Sequence, residues 1–211
     1  MPASSRLVQV PILEPDAVLV AVEAHLLTVL GQDSGRAGVS FLGTERLDVA
    51  RFGPDPEGLV RYVTLGMSRV PMGDPGAAVV LEHGPRAELL LTVRGAQDTV
   101  LRRLAVLASS PAVEGVVVAP GAGLDLGEPL WDGARFSAVL VGEPGGFVPD
   151  LDVAPGEEPV RFLPVLPMTA NEAAWKRVHG AQALERRWLE SGADLRDPAR
   201  AEAPLHRPDG G

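Results

Sequence analysis

The alternation of apolar and polar positions is clearest in two stretches near the middle of the chain. The first, Leu59 to Leu65, carries apolar or β-branched side chains on both alternating sets of positions, which predicts a half-buried or fully buried strand. Gly66 then interrupts this pattern, as a bulge or a close backbone approach requires. A loop around Pro71 leads to the second stretch, Arg86 to Val93, which predicts the returning strand.

Three other stretches repeat their apolar side chains at the spacing of a helix. Ala17 to Leu30 is followed by a stop signal, Gly31, and Ala96 to Ser109 carries an apolar stripe opposite two arginines. The third stretch, Thr169 to Leu189, begins with a hydroxyl and a carboxylate three residues apart, which is the pattern of a capping box. Gly180 lies within that helix and costs about 1 kcal/mol relative to alanine, so we predict a kink or a close helix crossing there.

The remaining segments predict further strands separated by loops rich in glycine and proline. The predicted strands are Val39–Phe52, Val116–Val118, Arg135–Val141 and Val160–Leu166, and the predicted loops are 32–38, 120–131 and 142–159. Adjacent strands with helices between them indicate an α+β fold, in which helices cover a mixed, mostly antiparallel sheet. The sequence predicts a single domain over residues 1–196 and a polar, proline-rich, flexible C-terminal tail over residues 197–211.

Charge and composition narrow the classes of function. The 211 residues carry a formal net charge of −9 and no cysteine, which excludes disulfides and favours a reducing cytoplasm. This acidity argues against binding nucleic acid through phosphates and suits a basic protein partner, although it also serves solubility alone. No apolar run reaches the length of a membrane span, and the start lacks the pattern of a signal peptide. We therefore expect a cytoplasmic protein with no nucleic-acid or membrane partner, and the sequence leaves its oligomeric state open.

The residue types that carry catalysis or bind metals do not occur in a recognisable pattern. No pair among the four histidines has metal-ligand spacing on one helix, and the Gly-x-Ser-x-Gly elbow is missing. Ser68 follows a strand, but Arg69 to Pro71 does not begin a helix, so we expect its hydroxyl to bond to the backbone. Gly121 to Gly127 has the wrong spacing for a dinucleotide loop, and Pro129 follows where a helix should begin. We expect no catalytic residue, no cofactor and no metal.

Two acidic loop segments are the candidate sites for binding a protein. One of them contains a tryptophan, and an aromatic side chain in a glycine-rich loop is a fair interface anchor, although it also often caps a core. The other is the long loop 142–159, where Asp150 and Asp152 precede a pair of glutamates. The candidate protein-binding residues are Asp125, Glu128, Trp131, Asp132, Glu157 and Glu158. The alternative is that both segments are ordinary solvated surface.

Several segments, in this order and at this spacing, resemble the Suppressor of fused domain family in its bacterial form. The resemblance runs from about Leu59 to about Arg200, and the most specific parts are the Thr-Leu-Gly-x-Ser segment and the Pro-x-Thr-x-x-Glu segment. The segments that carry it are Tyr62–Ser68, Pro71–Met72, Glu88–Val93, Gly127–Leu130, Phe136–Val141 and Phe162–Thr169, followed by the helix that contains Gly180.

The resemblance implies a non-enzymatic protein-binding domain. The animal relative is similar to an inhibitor that captures a transcription-factor peptide by strand addition between two lobes, and bacterial relatives are often inferred to be immunity proteins that neutralise a toxin. We expect this chain to form one lobe only, so we carry over no partner-contacting residue from the family.

Two alternatives to a binding domain stay open at this point. One is an uncharacterised enzyme, a hydrolase or transferase with a site built from loops, and the other is a scaffold domain without a dedicated ligand. The enzyme hypothesis predicts a deep pocket that holds His83 or His179 beside an acidic residue. The binding hypothesis predicts a coherent acidic or apolar surface and no convergent cluster of titratable groups.

Overall fold

Seven strands form one mixed sheet in the computed structural model of the protein, which describes residues 14–40, 45–73 and 84–205. In chain order the strands are β1 (Asp33–Val39), β2 (Leu47–Phe52), β3 (Leu59–Leu65), β4 (Arg86–Arg94), β5 (Gly123–Asp125), β6 (Phe136–Val141) and β7 (Val160–Thr169). Their order across the sheet is β1-β2-β3-β4-β7-β6-β5. All neighbouring pairs are antiparallel except β4 and β7, which run parallel. The predicted α+β fold with a mostly antiparallel sheet is therefore confirmed.

Helices cover both faces of this sheet. Within the described ranges they are α1 (Pro15–Leu30), α2 (Thr99–Ala108), α3 (Ser110–Glu114), α4 (Ala170–His179) and α5 (Ala181–Ser191), and a short 3₁₀ turn spans Met67–Arg69. Among the helices in that part of the chain, none is long and apolar enough to cross a lipid bilayer.

Strand β3 has apolar side chains on both faces because both faces are covered. Val60 and Tyr62 belong to the core cluster that packs under α2, while Val63 and Leu65 belong to the cluster that packs under α1. A third cluster lies between β6, β7 and the α4–α5 pair. Burial on both faces explains why the sequence of this strand shows no simple alternation of apolar and polar residues.

The local signals at β3 and α4 are confirmed in detail. Gly66 has a φ of +113°, and a Cβ atom there would lie 3.3 Å from the backbone oxygen of Arg46, so the close backbone approach is present. Thr169 and Glu172 form the predicted capping box at the start of α4. Gly180 has a φ of 87° and a ψ of 165°, which are not helical angles. The predicted long helix is therefore two helices joined at this glycine.

The loop predicted over residues 32–38 is wrong, because this segment forms edge strand β1. Two glycines and one serine hide the strand from a side-chain pattern, but its backbone pairs with β2 from Asp33 opposite Phe52 to Val39 opposite Leu47. The predicted strand Val39–Phe52 is correspondingly divided between β1 and β2. Its central positions 41–44, including Phe41 and Gly43, lie outside the described residues.

Three other boundaries differ from the prediction. Val116–Val118 is not a strand, and Val116 and Val117 are exposed while Val118 alone is buried. Pro111 does not end the helical region, because it lies in the first turn of α3, where its missing N–H has no helical partner to lose. Strand β7 continues to Thr169, since its first half pairs with β4 and its second half pairs with β6.

The segment 197–205 is not the flexible tail that its polar composition predicts. Arg200 and Ala203 are buried, and Ala203 and half-buried Leu205 pack in the third core cluster with Trp188. Residues 206–211 of the predicted tail lie outside the described residues. We call residues 193–205 the C-terminal strap.

Candidate protein-binding surface

The long loop between β6 and β7 carries charges of one sign only. Residues 142–159, which we call the acidic loop, contain five acidic residues and no lysine or arginine. Glu143, Asp150, Asp152 and Glu158 are exposed. The loop therefore presents several carboxylates to solvent in one short stretch.

Specific contacts hold the acidic loop against the sheet and α1. Val148 is fully buried in the core cluster beneath α1, and His25 Nε2 donates a 2.9 Å hydrogen bond to the backbone oxygen of Pro149. Leu151 and Val160 exchange backbone hydrogen bonds of 3.0 and 2.9 Å. The loop is thus anchored in its middle and at its end, which reduces the conformational entropy that a partner would have to freeze on binding.

Glu157 gives the acidic loop a further contact with β4. Its side chain and that of Arg86 are both buried, and a carboxylate oxygen lies 3.9 Å from Arg86 Nη2. Arg86 also donates to the backbone oxygens of Ser68 and Arg69, at 2.9 and 2.7 Å. Burial lowers the pKa of the Arg86 guanidinium, and the charge of Glu157 opposes this shift. The sequence predicted Glu157 as a surface residue, but its side chain lies inside this contact, whereas Glu158 is exposed.

An exposed aromatic side chain lies within the acidic loop. Phe147 is 61% exposed, and the guanidinium carbon of Arg61 lies 4.4 Å from the centroid of its ring. Arg61 is itself held by a 2.9 Å ion pair with Asp55. Sequence reasoning missed Phe147 because it considered the charges of this loop and not its one aromatic residue.

The second predicted segment, around β5, offers less free charge. Asp125 pairs with Arg177 at 3.3 Å, and Glu128 pairs with Arg103, while Asp132 is exposed. Trp131 is only 4% exposed and packs against Phe136 with ring centroids 5.4 Å apart. Its ring belongs to the core and is not available as the surface anchor suggested by its glycine-rich surroundings.

Glu88 is a fully buried carboxylate, and the hydrogen-bond donors that reach it from the described residues are all uncharged. Its Oε1 accepts from the Gly66 N–H at 2.9 Å and from the N–H and hydroxyl of Ser68 at 3.1 and 2.6 Å, and its Oε2 accepts from the Thr64 hydroxyl at 2.6 Å. Burial raises the pKa of Glu88, and these hydrogen bonds offset part of the shift. The Ser68 hydroxyl therefore donates to a buried carboxylate, where a backbone partner was predicted.

Glu172 is a second fully buried carboxylate, but it faces a cation. Arg200 donates from Nη1 and Nη2 to the two carboxylate oxygens, at 2.7 Å each. Trp188 Nε1 and the backbone N–H groups of Thr169 and Ala203 donate at 3.0, 2.8 and 3.1 Å. Burial acts to raise the pKa of Glu172, but Arg200 and the other donors outweigh it and lower the pKa. The capping box predicted Glu172 at the helix start, and nothing in the sequence linked it to Arg200.

The described residues show no group of three histidine, cysteine, aspartate or glutamate side chains placed to hold a metal. His83 lies outside the described residues. His179 packs against Trp175 with the two rings tilted and their centroids 4.2 Å apart, in an open groove that is also lined by Glu202. The Glu202 carboxylate accepts from the Thr169 hydroxyl and from Asn171.

Comparison with known proteins adds a family to this geometry. The family model described as Suppressor of fused protein (SUFU) matches residues 43–201. A search of curated proteins found no match.

Solved structures share the fold. A SUFU (suppressor of fused protein) homolog from Neisseria gonorrhoeae FA 1090 is 22% identical with a TM-score of 0.65, over 87% of this chain and 94% of that chain. A chain of the Sufu-Fu complex is 11% identical with a TM-score of 0.59, over 92% and 93%. Drosophila Suppressor of Fused is 14% identical with a TM-score of 0.60, and the match covers 88% of this chain but 50% of that one.

Proposed function

Because the chain belongs to the Suppressor of fused family, we propose that it is a non-enzymatic protein-binding domain whose partner docks on the acidic loop around Phe147. The proposal also covers a cytoplasmic location, which rests on the absence of cysteine from the sequence. One of the solved structures with the same fold is a complex, in which Sufu is bound to Fu.

The observation that carries the proposal is an exposed aromatic side chain surrounded in sequence by carboxylates on an anchored loop. Aromatic residues are enriched in the cores of protein interfaces, where a few buried side chains carry most of the binding energy. Phe147 is 61% exposed, and the exposed carboxylates of Asp150, Asp152 and Glu158 follow it along the loop. This combination favours a partner with an apolar pocket rimmed by basic residues.

The charge of the acidic loop acts mainly on the rate of association. Complementary potentials steer diffusional encounter and raise the association rate at low salt. The acidic segment around β5, with Asp125, Glu128 and Asp132, contributes less to this steering because two of its carboxylates are paired with Arg177 and Arg103. Trp131 contributes through the core and not by direct contact.

The experiment starts with capture of a partner by the purified full chain and its identification by mass spectrometry. The purified partner is then titrated calorimetrically with wild type, with Phe147→Ala and with the triple change Asp150→Lys, Asp152→Lys, Glu158→Lys. We expect Phe147→Ala to raise Kd at least tenfold, about 1.4 kcal/mol. Stopped-flow mixing of the same proteins measures the association rate, which the triple change should lower in low salt and affect much less in high salt.

Matched controls separate this surface from the rest of the protein. Glu114→Lys reverses an exposed charge at the end of α3, and Leu189→Ala removes a side chain that is 83% exposed on α5. Both controls should leave Kd within a factor of two to three, since most surface changes are small. If the controls and the loop variants lose binding equally, or if none of them loses binding, the acidic loop is not the binding surface.

The narrower form of the proposal is that the partner is a toxin and that this chain is its immunity protein. The captured partner is expressed in a bacterial host alone, with wild type, or with Phe147→Ala. If the partner is a toxin, growth stops with the partner alone, recovers with wild type and recovers less with the variant. A partner that is harmless when expressed alone contradicts the immunity role while leaving the protein-binding role intact.

A further inference from the structure

An open groove of about 670 Å³ lies between helix α4 and the end of the C-terminal strap. Neither the acidic loop nor the segment around β5 contributes to its lining. The groove is lined on the helix side by Asn171, Ala174, Trp175 and Val178 and on the strap side by Glu202 and Leu205. It is therefore a surface feature that the proposed function does not use.

The helix side of the groove is an apolar stripe. Ala174, Trp175 and Val178, together with Asn171, are three or four residues apart and share one face of α4. Val178 is 77% exposed, and Trp175 is half-buried. Helices of soluble proteins normally turn such a stripe towards a core, so this one is available to another helix.

Opposite charges lie near the two ends of helix α4. At its N-terminal end the Glu202 carboxylate bonds to the neutral groups of Thr169 and Asn171, and no ion pair joins it to a basic side chain within the described ranges. The last turn of α4 holds Lys176, Arg177 and His179. Arg177 pairs with Asp125 at 3.3 Å, but both side chains are more than half exposed. Replacing this ion pair by another therefore costs little free energy.

We propose that the groove binds helix α4 of a second copy of this chain, in an antiparallel arrangement around a two-fold axis near Ala174 and Trp175. A two-fold interface needs a surface that is complementary to itself. In this arrangement the small side chain of Ala174 lies opposite the large Trp175 of the second copy. Glu202 then lies opposite the basic last turn of the other α4, and the same contact occurs twice.

The charge distribution selects a second copy over another occupant. A parallel arrangement would bring the two basic helix ends together, and an unrelated helix has no reason to match both the small-to-large order and the acidic-to-basic order of the stripe. One helix pair with part of the strap falls at the small end of interface sizes, where complexes are weak. We therefore expect a dimer that forms as the concentration rises through the micromolar range.

Sedimentation velocity on the full chain, from submicromolar to several hundred micromolar, tests this proposal. We expect reversible dimerisation in wild type and at least tenfold weaker association in Val178→Asp. Leu189→Asp is the matched control, because Leu189 is an even more exposed apolar residue on the neighbouring helix α5 and does not line the groove. It should dimerise like wild type. Circular dichroism and thermal melts confirm that both variants remain folded.

A charge exchange makes the test specific for the antiparallel arrangement. Glu202→Arg and Arg177→Glu should each weaken the dimer, and the two changes together should restore it, since opposite charges again face each other. A chain that is monomeric at every concentration overturns the proposal. So does a dimer that Val178→Asp leaves intact, or one that Val178→Asp and Leu189→Asp weaken equally. Capture of a partner through the acidic loop should persist in Val178→Asp, so failure of the dimer does not bear on the proposed function.

Discussion

Glu88 and Glu172 are both completely buried, yet the groups that stabilise the two carboxylates differ. Among the described residues, Glu88 accepts hydrogen bonds from the neutral donors of Thr64, Gly66 and Ser68, and its pKa is raised by burial. Glu172 is paired through two hydrogen bonds with Arg200, and its pKa is lowered despite burial. The two sites show two solutions to the cost of placing a carboxylate in a core.

The difference reflects what each glutamate joins. Glu88 holds the turn after β3 to the neighbouring strand β4, where backbone N–H groups and hydroxyls are close at hand. Glu172 holds the C-terminal strap against α4 and α5, because its partner Arg200 belongs to the strap. The Arg200 guanidinium also lies 4.7 Å from the Phe136 ring centroid and 5.6 Å from the Trp188 ring centroid. The first site is a neutral clamp between neighbouring strands, and the second is a charged clamp between the C-terminal strap and helix α4.

The largest expected effect comes from removing the cation at the second site. Arg200→Met leaves the Glu172 carboxylate buried without its charge partner, which typically costs about 3–5 kcal/mol in the free energy of unfolding. Urea denaturation measures this cost. Arg196→Met is the control, because Arg196 makes an exposed pair with Asp194 and should change stability by less than about 1 kcal/mol.

The pairing itself is tested by a double change at the same site. Adding Glu172→Gln to Arg200→Met removes the charge that the single change strands. The double variant should therefore lose less stability than the sum of the two single variants. Simple additivity would mean that Glu172 and Arg200 do not act as a pair.

The next largest effect is expected at the neutral site. Ser68→Ala removes the 2.6 Å hydroxyl donor to Glu88 and should cost about 1–3 kcal/mol, because a buried carboxylate loses part of its solvation. Ser191→Ala is the control, since the Ser191 hydroxyl bonds only the backbone oxygen of Trp188 near the surface. We expect the control to stay within about 0.5 kcal/mol of wild type in the same urea assay.

The two glutamates should respond to pH in opposite directions. The pKa of Glu172 is lowered in the folded state, so its contribution to stability is present above the usual glutamate pKa and is lost as the pH falls through the folded value. The pKa of Glu88 is raised, so its contribution is present below the usual pKa and is lost as the pH rises through the folded value.

Unfolding free energies of wild type, Glu88→Gln and Glu172→Gln from roughly pH 3 to pH 8 separate these cases. The stability advantage of wild type over Glu172→Gln should shrink as the pH falls. The unfolding free energy of wild type should fall relative to that of Glu88→Gln as the pH rises. Two differences that move the same way would contradict the contrast between the sites.

The smallest expected effect is at the start of α4. The Thr169 hydroxyl accepts from the Glu172 N–H at 3.2 Å and completes the capping box. Thr169→Ala should therefore cost about 1 kcal/mol, the usual value for an N-cap. Thermal melts against wild type measure it, and a cost as large as that of Arg200→Met would show that the cap, not the ion pair, holds this end of the protein.

Local signals in the sequence identified much of the fold and only part of the candidate surface. Strand β3, helix α1 and the capping box are each encoded by residues close together in the chain, so they could be predicted. Edge strand β1 was missed because many of its side chains are small and show no strand pattern. Its backbone pairing with β2 is what makes it a strand. The C-terminal strap was missed because its burial depends on Arg200 meeting Glu172 from 28 residues away.

The same distinction applies to the acidic residues. Composition alone identified the acidic loop, but it could not show that Glu157 turns inward to Arg86 or that Trp131 enters the core. Both outcomes depend on neighbours that are distant in sequence. Phe147 is exposed because the loop around it is anchored by Val148 and Pro149, which no local pattern reports.

Site-specific photo-crosslinking tests the central claim, that a protein partner binds the acidic loop, most directly. A photoreactive phenylalanine derivative is placed at position 147 and, in a separate chain, at position 189, where the native leucine is 83% exposed on α5. Each purified chain is irradiated with its captured partner, and the adducts are mapped by mass spectrometry. We predict a crosslink from position 147 and none from position 189. A partner that crosslinks through position 189 and not through position 147 would contradict the assignment of the acidic loop as the binding surface.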